Sequence, residues 1–110
     1  MFRELKDCYG KSARNFVRVV VDEETQVMYL TNKKTMIPML SPSGKPSLYN
    51  PCVELKIVND TSVIGELNQF VGWQNLFINE ADGTMYVGGT DILCQLVNKY
   101  GMPRVTKVEK

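Results

Sequence analysis

Two short segments of this chain carry residue types suited to holding an anion. Gly88-Gly89-Thr90-Asp91 follows an apolar run and opens a stretch with helical spacing. A loop of that kind offers bare N–H groups and a helix N-terminus, the arrangement that binds phosphate or carboxylate. Lys33-Lys34-Thr35 follows a similar apolar run 57 residues earlier and supplies two cations and a hydroxyl. If the two segments are related by a pseudo-twofold, glycines on one side and lysines on the other frame one anionic ligand. The plainer reading of each is a tight turn with a cap. Gly-Gly-Thr has neither the lysine nor the spacing of a phosphate-binding P-loop.

Catalytic chemistry is poorly supplied. The chain has no histidine, which removes the commonest general base and a frequent metal ligand. An enzyme would need a thiol or carboxylate centre such as Asp91 with Cys94, three apart on the expected helix, and no third group orients them. Cys94 sits beside Leu93 on the apolar stripe and reads as buried packing. Asp22-Glu23-Glu24 reads as a solvated turn, too short in oxygen ligands for calcium. No catalytic residue, metal or cofactor is expected. Tyr29 and Tyr86 recur at matching positions, as packing residues or as a stacking platform for a base. Trp73 reads as core.

The positioning elements come from a repeat. A shift of 57 residues lays Val19–Leu48 over Leu76–Val105 without a gap. Glu23/Glu80, Met28/Met85, Tyr29/Tyr86, Gly44/Gly101 and Pro46/Pro103 are identical. Repeats decide architecture before local propensity does. Each copy opens with a β-branched or aromatic run, Phe16–Val21 and Trp73–Asn79. A polar turn and a return strand follow, Val27–Thr31 and Thr84–Val87. Pro38 limits the first copy to one helical turn after its hairpin. In the second copy Ile92, Leu93, Leu96, Val97 and Tyr100 predict a helix over 91–100, capped by Thr90 and ended by Gly101. A further amphipathic helix is predicted after Asp60, with Val63, Ile64, Leu67, Phe70 and Val71 on one face and Gly72 past its end. Val53–Val58 could form a short strand. Residues 1–14 read as a loosely attached arm with one helical turn near Glu4–Cys8. The expected fold class is α+β: two repeated β-hairpin–turn/helix units forming a small antiparallel sheet with two short helices, in one domain of 1–110.

With 44% hydrophobic and 23% charged residues the composition is that of a globular protein. The net charge of +1 gives no basic field to argue for nucleic acid. A nucleic-acid surface would have to use Arg14, Arg18, Lys33, Lys34 and Lys45 with Tyr29, and is not favoured. No apolar run is long enough for a transmembrane helix, and the N-terminus lacks a signal-peptide core. The expectation is a cytoplasmic protein with no membrane contact, its three cysteines free thiols.

The first copy resembles a family of small uncharacterised bacterial and phage-encoded proteins. The residues that carry it are Val21-Asp22-Glu23-Glu24-Thr25-Gln26-Val27-Met28-Tyr29-Leu30, then Pro38-Met39-Leu40, then Gly44-Lys45-Pro46. They span about 30 residues. Gln26 stands where that family usually has glycine, and Asn32–Met36 replaces its glycine-rich linker. The resemblance implies a setting near mobile elements and no evident catalytic centre. The functional expectation is a small non-catalytic binding protein, such as a phage or mobile-element accessory protein. It would bind a host protein or sequester a small anionic ligand through Lys33, Lys34, Thr35, Gly88, Gly89, Thr90 and Asp91. Uncovered sheet edges favour a homo-oligomer.

Overall fold

The computed structural model describes residues 1–60, 69–70, 72 and 74–106. It corrects the expected fold class: the described residues are all-β, with two sheets, two single 3₁₀ turns and no helix of seven or more residues. The strands are β1 (Phe2–Glu4), β2 (Tyr9–Gly10), β3 (Arg18–Asp22), β4 (Met28–Thr31), β5 (Met36–Pro38), β6 (Ile57–Asp60), β7 (Asn75–Asn79), β8 (Met85–Gly88) and β9 (Leu93–Gln95). One sheet has the order β1-β3-β4-β5 and the other β2-β6-β7-β8-β9. The hairpins therefore do not share one sheet. Each recruits its own flanking strands.

The repeat is more complete in space than in sequence. β3, β4 and β5 become β7, β8 and β9 at the same shift of 57. The isolated bridges Val27–Leu48 and Leu40–Pro46 recur as Thr84–Val105 and Val97–Pro103. Gln26 N–H donates to Asp22 O as Gly83 N–H donates to Asn79 O, both at 2.7 Å. The outer strands correspond too. Phe2 pairs with Asp22 and Ile57 pairs with Asn79, so β1 answers β6. Among the described strands only β2, which runs parallel to β6, has no counterpart.

The helix expected over 91–100 is a strand and a turn. Leu93–Gln95 pairs antiparallel with β8, and Asn98 Oδ1 accepts from the N–H groups of Tyr100 and Met102 to close the turn. The i, i+4 spacing of Ile92 and Leu96 serves a strand as well as a helix, because four is also two strand periods. Val97 and Tyr100, which a helix would have buried, are 56% and 77% exposed. Pro38, where a helical turn was expected, ends β5 on the sheet's edge, where its missing N–H is tolerated. The helix predicted after Asp60 lies outside the described residues except for Gln69, Phe70 and Gly72. Trp73 also lies outside them.

The N-terminal segment is not a loose arm. It leaves β1 in one sheet and enters β2 in the other, through the 3₁₀ turn Lys6–Cys8. Leu5, Cys8 and Ala13 are buried in the main core. Tyr9 Oη accepts from Val19 N–H at 2.6 Å, which ties the crossing to β3.

Alternation along paired strands shows how the sheets pack. Val19, Val21, Met28 and Leu30 share one face of the first sheet and are buried. In the second sheet, however, the residues that complete the same core are Ile57, Phe77 and Tyr86. Those lie on the opposite face, since Phe77 and Tyr86 correspond to Val20 and Tyr29 rather than to Val19 and Leu30. The counterparts of the first sheet's inner face are Leu76, Met85 and Val87, which form a separate cluster with Ile78, Ile92 and Leu96. The two units are stacked front to back, as repeats stack in a solenoid. The condition of a pseudo-twofold, under which the two loops would frame one ligand, is not met.

Candidate functional site

Two surfaces follow from the stack: the loops where the units meet, and the outer face of the first sheet.

At the loop junction the sequence-predicted residues divide. Lys34 Nζ lies 2.6 Å from Asp91 Oδ1, an exposed pair linking equivalent positions of the two units. Lys34 holds the Asp91 carboxyl below its usual range by hydrogen bond and charge. Gly88 ends β8, and Gly89 N–H donates to Ile92 O at 3.0 Å, so neither glycine forms an open nest of N–H donors. With no helix at 91–100, no helix N-terminus is present there to meet an anion. Thr35 N–H and Oγ1 both bond to Asn32 Oδ1, at 2.8 and 3.1 Å, and are not presented outward. Lys33 and Thr90 do come together, on the wall of a depression of about 100 Å³ that Arg18, Thr31 and Asn32 also line.

Asn32 is the residue the sequence reading passed over as linker. It is buried. Its Nδ2 donates across the junction to Gly89 O at 2.8 Å and Ile92 O at 3.0 Å. Its Oδ1 accepts from Lys34 N–H and Thr35 N–H and fixes the turn that carries Lys33. The available signal was Asn followed by a polar run, the pattern of an Asx turn.

The outer face of the first sheet carries Phe2, Val20, Tyr29 and Met36. The pairs Phe2–Asp22, Val20–Tyr29 and Thr31–Met36 put them on one side. Their counterparts in the second unit are Ile57, Phe77, Tyr86 and Leu93. Ile57, Phe77 and Tyr86 are fully buried against the first unit, and Leu93 packs on the same core. In the first unit the same positions face out: Phe2 is 55% and Met36 50% exposed, and Val20 and Tyr29 are half-buried. Phe2 packs edge-on against Tyr29 at 6.0 Å between ring centroids. One repeated tyrosine is thus core and its twin is surface. Burial pushes the Tyr86 hydroxyl well above its ordinary pKa.

Other groups offer little chemistry. Cys8 is buried, and its thiol is pushed up to about 12 by desolvation. Cys94 is exposed on β9 rather than buried, and Asp91 is engaged with Lys34, so the thiol–carboxylate pairing that an enzyme would have needed has no geometry behind it. No cluster of metal-ligating side chains occurs among the described residues. No helix among them is long and apolar enough to cross a membrane. A cleft of about 410 Å³ runs between the N-terminal crossing and the linker, with Arg3, Cys8, Tyr49 and Leu55 on its walls. Arg14 and Arg18 both lean on Glu4, at 3.4 and 3.8 Å. Comparison with protein-family models, with curated proteins and with solved structures gives no significant match.

Proposed function

We propose that the chain is a non-catalytic protein-binding module whose binding surface is the outer face of the first sheet. One observation carries this reading: Phe2 and Met36 are open to solvent, and Val20 and Tyr29 half-buried, at positions whose second-unit counterparts pack into the core against another sheet. An apolar sheet face, Val19, Val21, Met28 and Leu30, covers these positions in the second unit, and in the first unit the same outer face of another copy would cover them. A second copy of this chain is the partner proposed here. Two copies meeting through this face form an isologous contact, which closes as a dimer.

The test pairs Phe2→Asp with Met36→Asp. Both side chains are about half exposed, so the fold tolerates the change, and circular dichroism checks this. Light scattering across a concentration series should show a dimer for the natural chain and a monomer for the variant. A natural chain that stays monomeric moves the partner to another protein. Affinity capture should then recover a protein with the natural chain and lose it with the variant. Equal capture by both refutes the surface.

A further inference from the structure

We propose that the depression at the junction of the two units binds a phosphate-sized tetrahedral oxyanion. Two cations, Arg18 and Lys33, and two hydroxyls, Thr31 and Thr90, line about 100 Å³. Among the described residues no carboxylate lines it. That volume is well below the roughly 300–1,000 Å³ of pockets that enclose drug-sized ligands. It suits a four-oxygen anion, with any attached group left in solvent.

Lys33 and the two hydroxyls are largely uncommitted, while Arg18 Nη1 donates to Arg14 O and, at 3.3 Å, to Val17 O, leaving its remaining N–H donors and its charge to the site. Lys33 has no ion pair among the described residues, whereas the neighbouring Lys34 is neutralised by Asp91. Thr90 Oγ1 and Thr31 Oγ1 make only long contacts, 3.5 Å each, to Asp91 and to Arg18 O. Arg18 shares the Glu4 carboxylate with Arg14, so that three-charge group keeps a net positive charge. Arginine presents several N–H donors in a fixed plane, the geometry that tetrahedral oxyanions accept.

The loop geometry is built rather than incidental. Lys33 sits at φ +78°, a left-handed conformation unusual for a lysine. Asn32 holds the turn from below through Lys34 N–H and Thr35 N–H, while its amide bonds the opposite unit. The first unit supplies both cations and the second supplies Thr90, so the site exists only where the units meet. It uses Lys33 and Thr90 of the residues anticipated from sequence, adds Arg18 and Thr31, and needs no glycine nest.

The experiment is an amide-resonance titration of the full chain with inorganic phosphate, against chloride at equal ionic strength. Saturable shifts at Lys33 and Thr90 are expected. Lys33→Gln, on an exposed loop, should weaken the dissociation constant roughly tenfold, equivalent to about 1.4 kcal/mol. Thr90→Ala should weaken it less and leave the fold intact. A parallel arm with glycerol phosphate separates the two sources of the anion. Binding of both assigns the site to the end of a phosphate ester, and binding of phosphate alone assigns it to the free ion. No saturable response to either, or equal affinity in Lys33→Gln, overturns the proposal.

Discussion

Removing the Asn32 side chain should cost more than its place in a polar loop suggests. Asn32→Ala deletes two bonds across the junction, to Gly89 O and Ile92 O, and three acceptor contacts within its own turn. Ile92 O keeps a partner in Gly89 N–H, and the exposed Lys34 N–H can turn to water. Gly89 O loses its side-chain donor. Two net hydrogen bonds at about 1 kcal/mol each, plus about 1 kcal/mol for the stranded carbonyl, give about 3 kcal/mol. For a domain near 100 residues that is a fall of roughly 12 °C or more in the unfolding midpoint. Urea unfolding followed by tryptophan fluorescence measures it directly. Asn32→Asp separates the contributions, because the carboxylate keeps the turn contacts but cannot donate to the two carbonyls. It should be at least as damaging as alanine. A loss below about 0.5 kcal/mol for alanine, or natural stability for the aspartate variant, would refute the view that this amide joins the units.

Gly83 holds φ +80° at the hairpin position where the first unit strains Gln26 to +65°. Gly83→Ala should therefore destabilise by about 1 kcal/mol in the same assay, and an unchanged midpoint would contradict it. Cys8 should resist a thiol reagent at pH 8 in the folded chain while the exposed Cys52 and Cys94 react, giving two fast equivalents and a third only in denaturant. Its folded pKa lies near 12, above the ordinary 9, so the unfolded chain gives up that proton first. Stability should thus fall as pH rises from about 9 towards 12, and Cys8→Ala should flatten part of that slope. Lys34→Gln should raise the Asp91 carboxyl pKa, read by carbon resonance, because Lys34 is the main cause of its depression. Whatever stability the pair gives is present above the carboxyl's unfolded pKa and lost as pH falls through the folded one.

Much of the repeat was legible in the sequence because a gapless shift carries its turns with it. Gly44 and Gly101 both sit near φ +80°, and Pro46 and Pro103 both form the closing bridge. The hairpins were found for the same reason. The second helix was misread because Ile92 and Leu96 are four apart, a spacing that both periods satisfy. Its first-unit counterpart, where Pro38 resists a helix, was the better guide. The burial of the N-terminal crossing was not legible. Leu5, Cys8 and Ala13 are too scattered to show a period, and they are buried by two sheets whose stacking no local pattern encodes.

The stacking mode explains why equivalent positions of the repeat differ in burial. A twofold arrangement would give both units the same surroundings, and Tyr29 and Tyr86 would share one fate. Front-to-back packing leaves one unit with its outer face covered and the other with the same face bare. The second unit places Phe77 where the first has Val20, inside a core that holds it. The first keeps Phe2 and Met36 exposed and Val20 and Tyr29 half-buried on that face. A solvent face with no partner has no physical need for four such residues on one side of four strands. Placing the binding surface on that face, and the oxyanion at the seam between the units, assigns each site to something only the pair of units provides.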